Sequence, residues 1–226
     1  MKLLALETAS GVASAAVYED GKLKSEVYLD NKLTHSATIM PMAERVLAQA
    51  DLLAEDMDYF AVDVGPGSFT GVRIGVCAAN AMAAACGKYV IPVDSLTALA
   101  ANLPYAGFVC ALLDARADRI YAALFDTANG FPEIIGNLFA GTIDEWLKLL
   151  PFDKRIVFVG DGAAVQRGKI VQSMGEKAVF APFHLCRARA SSILIVASRT
   201  AELKKVKEAM PLYLRPPQAD RLKCNG

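Results

Sequence analysis

The chain of 226 residues has only two histidines, His35 and His184. They lie far apart, and neither HxxxH nor HExxH occurs. Zinc and iron sites are commonly built on closely spaced histidines, so a metallopeptidase is disfavoured. A Ser–His–Asp hydrolase would have to recruit one of the two, and no Gly-x-Ser-x-Gly elbow accompanies any serine. Cysteine is also sparse: five residues, an odd number, with no CxxC spacing. That argues for a reducing compartment and against a zinc site. Cys77 and Cys86 fall in an apolar helical pattern, where a thiol acts as a small hydrophobe. Charge excess is missing too, with 24 Lys and Arg against 24 Asp and Glu. A protein that binds nucleic acid by itself usually carries a basic surplus. No apolar run is long enough for a bilayer: the longest, residues 74–87, has Asn80 in its middle. The first residues open on a strand pattern with no signal-peptide pattern. The expectation is a soluble, cytoplasmic protein.

What is present is a large apolar fraction, 54% of residues, enough for one large domain or two small lobes. Leu3 to Leu6, Val12 to Tyr18 and Leu23 to Leu29 read as strands, with Glu19-Asp20-Gly21-Lys22 as a hairpin turn. Apolar residues then recur at helical spacing over Ser36 to Asp51. A strand over Tyr59 to Val64, a helix over Phe69 to Cys86, a strand over Tyr89 to Val93 and a helix over Leu96 to Asn102 follow. Leu103-Pro104 reads as a boundary between lobes 1–102 and 103–226. Beyond it the theme repeats. Strands are expected over Phe108 to Asp114, Arg119 to Phe125, Ile134 to Phe139 and Ile156 to Val159. Helices are expected over Thr142 to Leu150, where Thr142 and Glu145 form a capping box, over Ala163 to Met174 with a break at Gly168, and over Ser191 to Ala209. An extended tail from Pro211 closes the chain. Periodicity alone supports an α/β fold with mixed sheets. The duplicated pattern resembles the two-lobed architecture of actin, sugar kinases and Hsp70.

The densest motif is Gly65-Pro66-Gly67-Ser68-Phe69-Thr70-Gly71-Val72-Arg73-Ile74-Gly75. It joins an apolar strand to a helix rich in small residues. Two readings stand side by side. Gly65, Gly67 and Ser68 can cradle a phosphate at a helix N-terminus, where amides are unpaired. Alternatively the glycines permit a tight turn and close packing. No Gly-Lys-Ser/Thr follows, so this is not a P-loop. Gly71 and Gly75 sit inside the helix, each at a cost of roughly 1 kcal/mol relative to Ala. With Ala79 they form a groove of small residues spaced by four, serving either the core or a partner chain. Glu7 and Thr8, at the end of the first strand, either hold a magnesium water and a phosphate or form an ordinary polar turn. Asp114-Ala115-Arg116 ends the first strand of the second half, with Tyr121 seven residues further on, and lines a cleft or forms a surface ion pair; for Asp161, between Gly160 and Gly162, a turn is the default. For His35, beside Thr34 at a helix start, the expectation is a cap or surface residue.

These residues resemble the TsaB (YeaZ) family of tRNA threonylcarbamoyladenosine biosynthesis proteins. The resemblance rests on the Gly65-to-Gly75 motif, Leu4-Ala5-Leu6-Glu7-Thr8-Ala9, the helix with Met40-Pro41-Met42, Asp114-Ala115-Arg116 with Tyr121, and Tyr213-Leu214-Arg215. Glu7 departs from the Asp common there, which weakens any inference of a magnesium site. The family implies a two-lobed actin-like fold of the ribonuclease H-like kind, with mixed sheets flanked by helices. It also implies a non-catalytic scaffold that pairs with a TsaD-type catalytic subunit and, through the complex, a TsaE-type ATPase. On this resemblance it forms a homodimer when alone, reaches tRNA only through the complex, avoids membranes and requires no cofactor, with weak ATP or ADP binding as an open addition. Both protein contacts are implied to use helices 36–51 and 69–86. Ile39, Ala43 and Val46 on one, and Gly71, Arg73, Gly75 and Ala79 on the other, are the expected interface. On that view Gly75→Leu abolishes partner binding and leaves the monomer folded. The competing class is a stand-alone actin-like nucleotide-using enzyme, or the glycoprotease of older family names. Lys204, Lys205, Lys207, Arg215 and Arg221 are candidates for a basic patch facing tRNA.

Overall fold

A computed structural model describes residues 1–30 and 34–214. Arg215 and Arg221, and the tail beyond Leu214, lie outside the described residues. Ten strands form two five-stranded sheets that repeat one topology. In the first, β1 (Lys2–Glu7), β2 (Ala13–Glu19) and β3 (Lys22–Leu29) form an antiparallel meander, and β4 (Tyr59–Asp63) and β5 (Tyr89–Val93) add parallel to β1. Its order is β3-β2-β1-β4-β5. The second runs β10-β9-β6-β7-β8. It consists of β6 (Phe108–Asp114), β7 (Arg119–Asp126), β8 (Glu133–Thr142), β9 (Ile156–Val159) and β10 (Ala178–Phe180). Antiparallel and parallel pairs fall in the corresponding places.

Both faces of β1 are buried, so it alternates apolar residues toward two different cores rather than apolar with polar. Leu4 and Leu6 face outward, onto α1 (His35–Gln49) and α2 (Phe69–Ala85). Leu3 and Ala5 face inward, into a central layer shared with the second sheet. That layer holds α3 (Ser95–Ala100) and α7 (Ala190–Lys204). The outer face of the second sheet is covered by α4 (Ile143–Leu147) and α6 (Arg167–Met174), around Cys110, Leu112, Phe158, Trp146 and Ile170. The helices of the central layer exchange places. Helix α3, which follows the first sheet in sequence, packs on β6 and β7, while α7, at the far end of the chain, packs on β1, β2, β4 and β5. A division near Leu103 therefore separates the strands but not the helices.

Several boundaries differ from the sequence expectation. Helix α7 stops at Lys204, not Ala209, because Val206 leaves the helix to exchange both backbone hydrogen bonds with Val90 on β5. The helix expected over Ala163 to Met174 breaks at Gln166 rather than Gly168. It is split into α5 (Asp161–Val165) and α6, with Gln166 itself buried. Strand β8 extends well beyond Ile134 to Phe139, and the three-residue β10 was not anticipated. Helix α4 ends at Leu147, though its capping box forms as read, with the Thr142 amide donating to Glu145 Oε2 at 2.8 Å.

Candidate functional site

The C-terminal ends of the central strands of both sheets open on one cleft of about 730 Å³. Ligands of open α/β sheets enter at such strand ends, where the topology reverses. The first half contributes Ala9, Ser10 and Gly11 after β1, Pro66, Gly67 and Ser68 between β4 and α2, Phe69 and Thr70 at the start of α2, and His35 and Ser95 at the starts of α1 and α3. The second half contributes Asp114, Ala115, Arg116, Tyr121 and Asp161.

The glycine-rich turn owes its sequence to the strand beneath it. A Cβ on Gly67 would lie 2.3 Å from the Ala9 carbonyl oxygen, and one on Gly71 would lie 2.0 Å from that of Thr8. A Cβ on Gly75 would meet Thr8 Oγ1 at 2.4 Å. Thr8 Oγ1 in turn donates to the Gly71 carbonyl at 2.7 Å. Helix α2 thus lies directly on the end of β1, and the glycines are what let it approach. Three of the turn's amides are committed to the chain itself. The Gly65 amide donates to Asp63 Oδ1 (2.8 Å), that of Ser68 to the Ala9 carbonyl (2.7 Å), and that of Gly71 to Ser68 Oγ as a helix cap (3.2 Å).

Of the residues expected to touch a cofactor, Gly67 and Ser68 line the cleft. Glu7, Thr8 and Gly65 do not; Glu7 and Thr8 are fully buried. Asp114, Arg116 and Tyr121 come together at the cleft, one of the two readings open for them, and Asp161, expected in a turn, joins them there at the start of α5. His35 is a correction: its ring lines the cleft, with Nε2 3.0 Å from the Ser10 carbonyl and a buried Nδ1 that has no partner among the described residues. The residues expected at the protein interface are corrected as well. Ile39, Ala43, Val46, Gly71, Gly75 and Ala79 are all buried within this chain, and only Arg73 is exposed. The small-residue groove is already occupied by β1.

Sequence reasoning missed the group beneath the cleft floor. Glu7 and Asp63 end the adjacent parallel strands β1 and β4, one step beyond the Leu6–Val62 pair, and both are fully buried. Asp63 Oδ1 accepts from Ser95 Oγ (2.6 Å) and Gly65 N, and Glu7 Oε1 accepts from Ser10 N (3.0 Å). Glu7 Oε2 and Asp63 Oδ2 have no partner. Burial pushes the Asp63 carboxyl up to about 7, against the pull of its Ser95 and Gly65 hydrogen bonds. Burial, followed by the charge of Asp63, holds Glu7 well above the usual carboxylate range. Burial thus favours the protonated form of both acids.

Across the cleft, Asp161 Oδ1 accepts from the Asp114 amide (3.0 Å), and its Oδ2 pairs with Arg187 Nη1 (2.6 Å). Arg116, Ala117 and Asp118 turn the chain with positive φ of 61°, 50° and 61°. This turn is held by the Arg116 amide on Asp114 Oδ1 (3.0 Å) and by Lys169 on Asp118 (2.7 Å). Among the described residues, no group of three or more His, Cys, Asp or Glu is placed to hold a metal ion. The His35 ring bonds to main chain rather than to a nucleophile. The arrangement suits binding of a polar ligand better than covalent chemistry.

Residues 30–221 match the family described as TsaD: tRNA N6-adenosine threonylcarbamoyltransferase. The chain belongs to the TsaD family. Within that family it is similar from end to end to the tRNA threonylcarbamoyladenosine biosynthesis protein TsaB of Bacillus subtilis, at 28% identity over 97% of this chain and 96% of that one. Its structure is similar to YeaZ from Pseudomonas aeruginosa, with a TM-score of 0.83, 26% identity, and coverage of 94% of this chain and 99% of that one. Component A of the Acidaminococcus fermentans (R)-2-hydroxyglutaryl-CoA dehydratase shares the fold alone, at TM-score 0.52 and 11% identity over 89% of this chain and 99% of that one. The two-lobed actin-like architecture with mixed sheets is thus the fold of this chain. No helix among the described residues is long and apolar enough to cross a membrane.

Proposed function

We propose that this chain is a non-catalytic subunit of the cytoplasmic machinery that makes N6-threonylcarbamoyladenosine in tRNA, and that it binds a TsaD-type catalytic subunit through the outer face of α1 and α2. The end-to-end likeness to TsaB supports the pathway. The observation that carries the surface is the outer face of α2. Exposed helix faces normally carry several charges. Helix α2 runs for 17 residues with Arg73 as its only charge, and presents Cys77, Ala81, Ala84 and Ala85 to solvent. Beside it α1 exposes Met40. Helix α1 also exposes Glu44 and Arg45, so the charges of this face lie on α1, and the small-sided, charge-poor face of α2 suits close packing against another helix pair. The residues buried beneath it, Ile39, Ala43, Val46, Gly71, Gly75 and Ala79, hold the pair to the sheet rather than touching the partner.

On this reading the same face closes a homodimer when the chain is alone, the TsaE-type ATPase joins through the complex, and tRNA is met only there. No cofactor is required. A nucleotide entering the cleft would meet Arg116 and a turn of which three amides are already committed, and the reading keeps weak ATP or ADP binding as an open addition. The test is light scattering on a sizing column of the chain mixed with a TsaD-type subunit. Ala81→Arg, which places a long cation on the outer face and leaves the Thr8 contact intact, is expected to abolish the complex without altering the melting temperature. A complex unaffected by this variant contradicts the surface. Nucleotide turnover by this chain alone contradicts the scaffold role.

A further inference from the structure

Arg73 is not a free surface cation. Its guanidinium carbon lies 3.8 Å from the Phe69 ring centroid, and its Nε donates to Tyr213 Oη at 2.8 Å. Phe69 and Tyr213 stack with centroids 5.0 Å apart. Tyr213 belongs to the strap that follows α7, and the strap is itself fixed. The Leu212 amide donates to the Val64 carbonyl (2.7 Å), and Asn80 on α2 exchanges two hydrogen bonds with the backbone of Ala209 (2.9 and 3.0 Å). An aromatic pair and a hydrogen bond therefore hold the arginine in one orientation with its side-chain freedom already lost. Nε is committed to Tyr213. No acidic side chain among the described residues pairs with Arg73, although Lys2, Lys24, Lys154, Lys169, Lys205 and Arg187 all have such partners.

We infer that the strap and α2 together present the Nη edge of Arg73 as a preset fork for a carboxylate on the partner subunit. This rests on the reading of the α1–α2 outer face as the partner surface. Charge complementarity selects the occupant. Arg73 is the single charge of α2, and the α2 face running on from it through Cys77, Ala81 and Ala84 is small-sided and uncharged, while the exposed charges of α1 are Glu44 and Arg45; that α2 face suits a protein helix carrying one carboxylate opposite Arg73. An arginine fork takes both oxygens of a carboxylate in one plane, a geometry lysine does not offer. Tyr213 is a positioning residue in this scheme, contributed from 140 residues away in the chain.

The test measures the dissociation constant of the full chain with a TsaD-type subunit, as a function of salt, for Arg73→Ala, Arg73→Lys, Tyr213→Ala, Tyr213→Phe and Ala81→Arg, each first checked by thermal melting. Loss of one partner of a desolvated charge pair predicts weakening by about 30-fold or more for Arg73→Ala, with a flatter salt dependence. Arg73→Lys recovers little. Tyr213→Ala weakens binding by about 10-fold while keeping the salt dependence, and Tyr213→Phe falls between it and wild type, the scale of one hydrogen bond. If Arg73→Ala binds within about two-fold of wild type while Ala81→Arg abolishes the complex, the fork is wrong and the surface stands. Lysine as effective as arginine also overturns it, since a point charge then suffices. If Ala81→Arg too leaves binding unchanged, the surface itself fails and the fork falls with it.

Discussion

The two halves repeat one topology and differ in what they do with it. In each, a glycine turn after the fourth strand presses against the first. Gly67 and Gly71 abut Ala9 and Thr8 at the end of β1, and Gly160 and Gly162 abut Leu112 and Leu113 on β6. In the first half the turn feeds one long helix, α2, with a bare outer face. In the second it feeds two short ones, α5 and α6, broken at a buried Gln166. The second half's outer side also carries ordinary charge pairing: Lys169 bridges Asp118 and Asp144. The first half instead buries Glu7 and Asp63 at the two strand ends, whereas Asp114, at the end of β6, is exposed. The same frame thus gives a conventional surface on one side. On the other it gives a charge-poor helix face above an acid pair.

The largest expected effect breaks the shared feature in both halves. Gly71→Ala and Gly160→Ala each force a Cβ to within 2.0 Å of a backbone carbonyl oxygen, which cannot swing away. Each is expected to cost about 3 kcal/mol or more, read from urea midpoints. Gly75→Leu belongs with them: it drives into Thr8, so it unfolds the first half instead of isolating partner binding. Loss of binding in that variant carries no information about the surface.

The next effect separates the halves by pH. Asp63 is raised from 3.8 to about 7 in the folded chain. A raised carboxyl contributes stability that is fully present below 3.8 and is lost as pH rises through about 7. Urea midpoints at pH 5.5, 7 and 8.5 should therefore fall with pH by an amount equivalent to a few kcal/mol, on the order of magnitude set by the shift. Asp63→Asn should make the fall shallower without abolishing it, because burial alone still raises Glu7, and Glu7→Gln combined with Asp63→Asn should remove it. An identical slope in wild type and the double variant removes the buried pair as its source.

The smallest effect has the opposite sign. A Cβ on Gly168, inside α6, meets nothing within 4 Å. Gly168→Ala should stabilise by up to about 1 kcal/mol through helix propensity and a less flexible unfolded chain. Destabilisation there would mean that α6 packs more tightly than its glycine suggests.

Strands with continuous apolar runs were legible to the residue: β5, β6 and β9 fall where periodicity put them. Duplication was legible too, because a meander followed by alternating helix and strand occurs twice. For Asp114, Arg116 and Tyr121 a cleft was legible beside a surface pair because strand ends of one sheet converge, whereas Asp161 between two glycines looked like turn chemistry. The small-residue stripe of α2 was legible as a face of close approach, but spacing does not say what approaches it. Here it is Thr8, 63 residues upstream of Gly71. Ile39, Ala43 and Val46 face the sheet for the same reason that their spacing is regular, since an amphipathic stripe marks the core side. Asp63 was hidden because an acid closing a strand looks like turn chemistry until the neighbouring strand brings Glu7 alongside. The exchange of α3 and α7, and the strap that carries Tyr213 to Arg73, depend on long-range topology with no local signature.

The central claim is that the outer face of α2 is covered by the partner, and the chain supplies its own probe. Cys77 is exposed in the middle of that face, while Cys110 is buried, with its thiol pushed up to about 12 by desolvation. The decisive measurement is the rate of Cys77 alkylation, read peptide by peptide by mass spectrometry, with and without a TsaD-type subunit under conditions where the complex forms. The account predicts that Cys77 reacts readily in the free chain diluted until its homodimer dissociates, and at least about ten-fold more slowly in the complex, as burial of an interface core requires, with Cys110 unreactive throughout. Cys77 reacting equally fast in the complex would place the partner elsewhere.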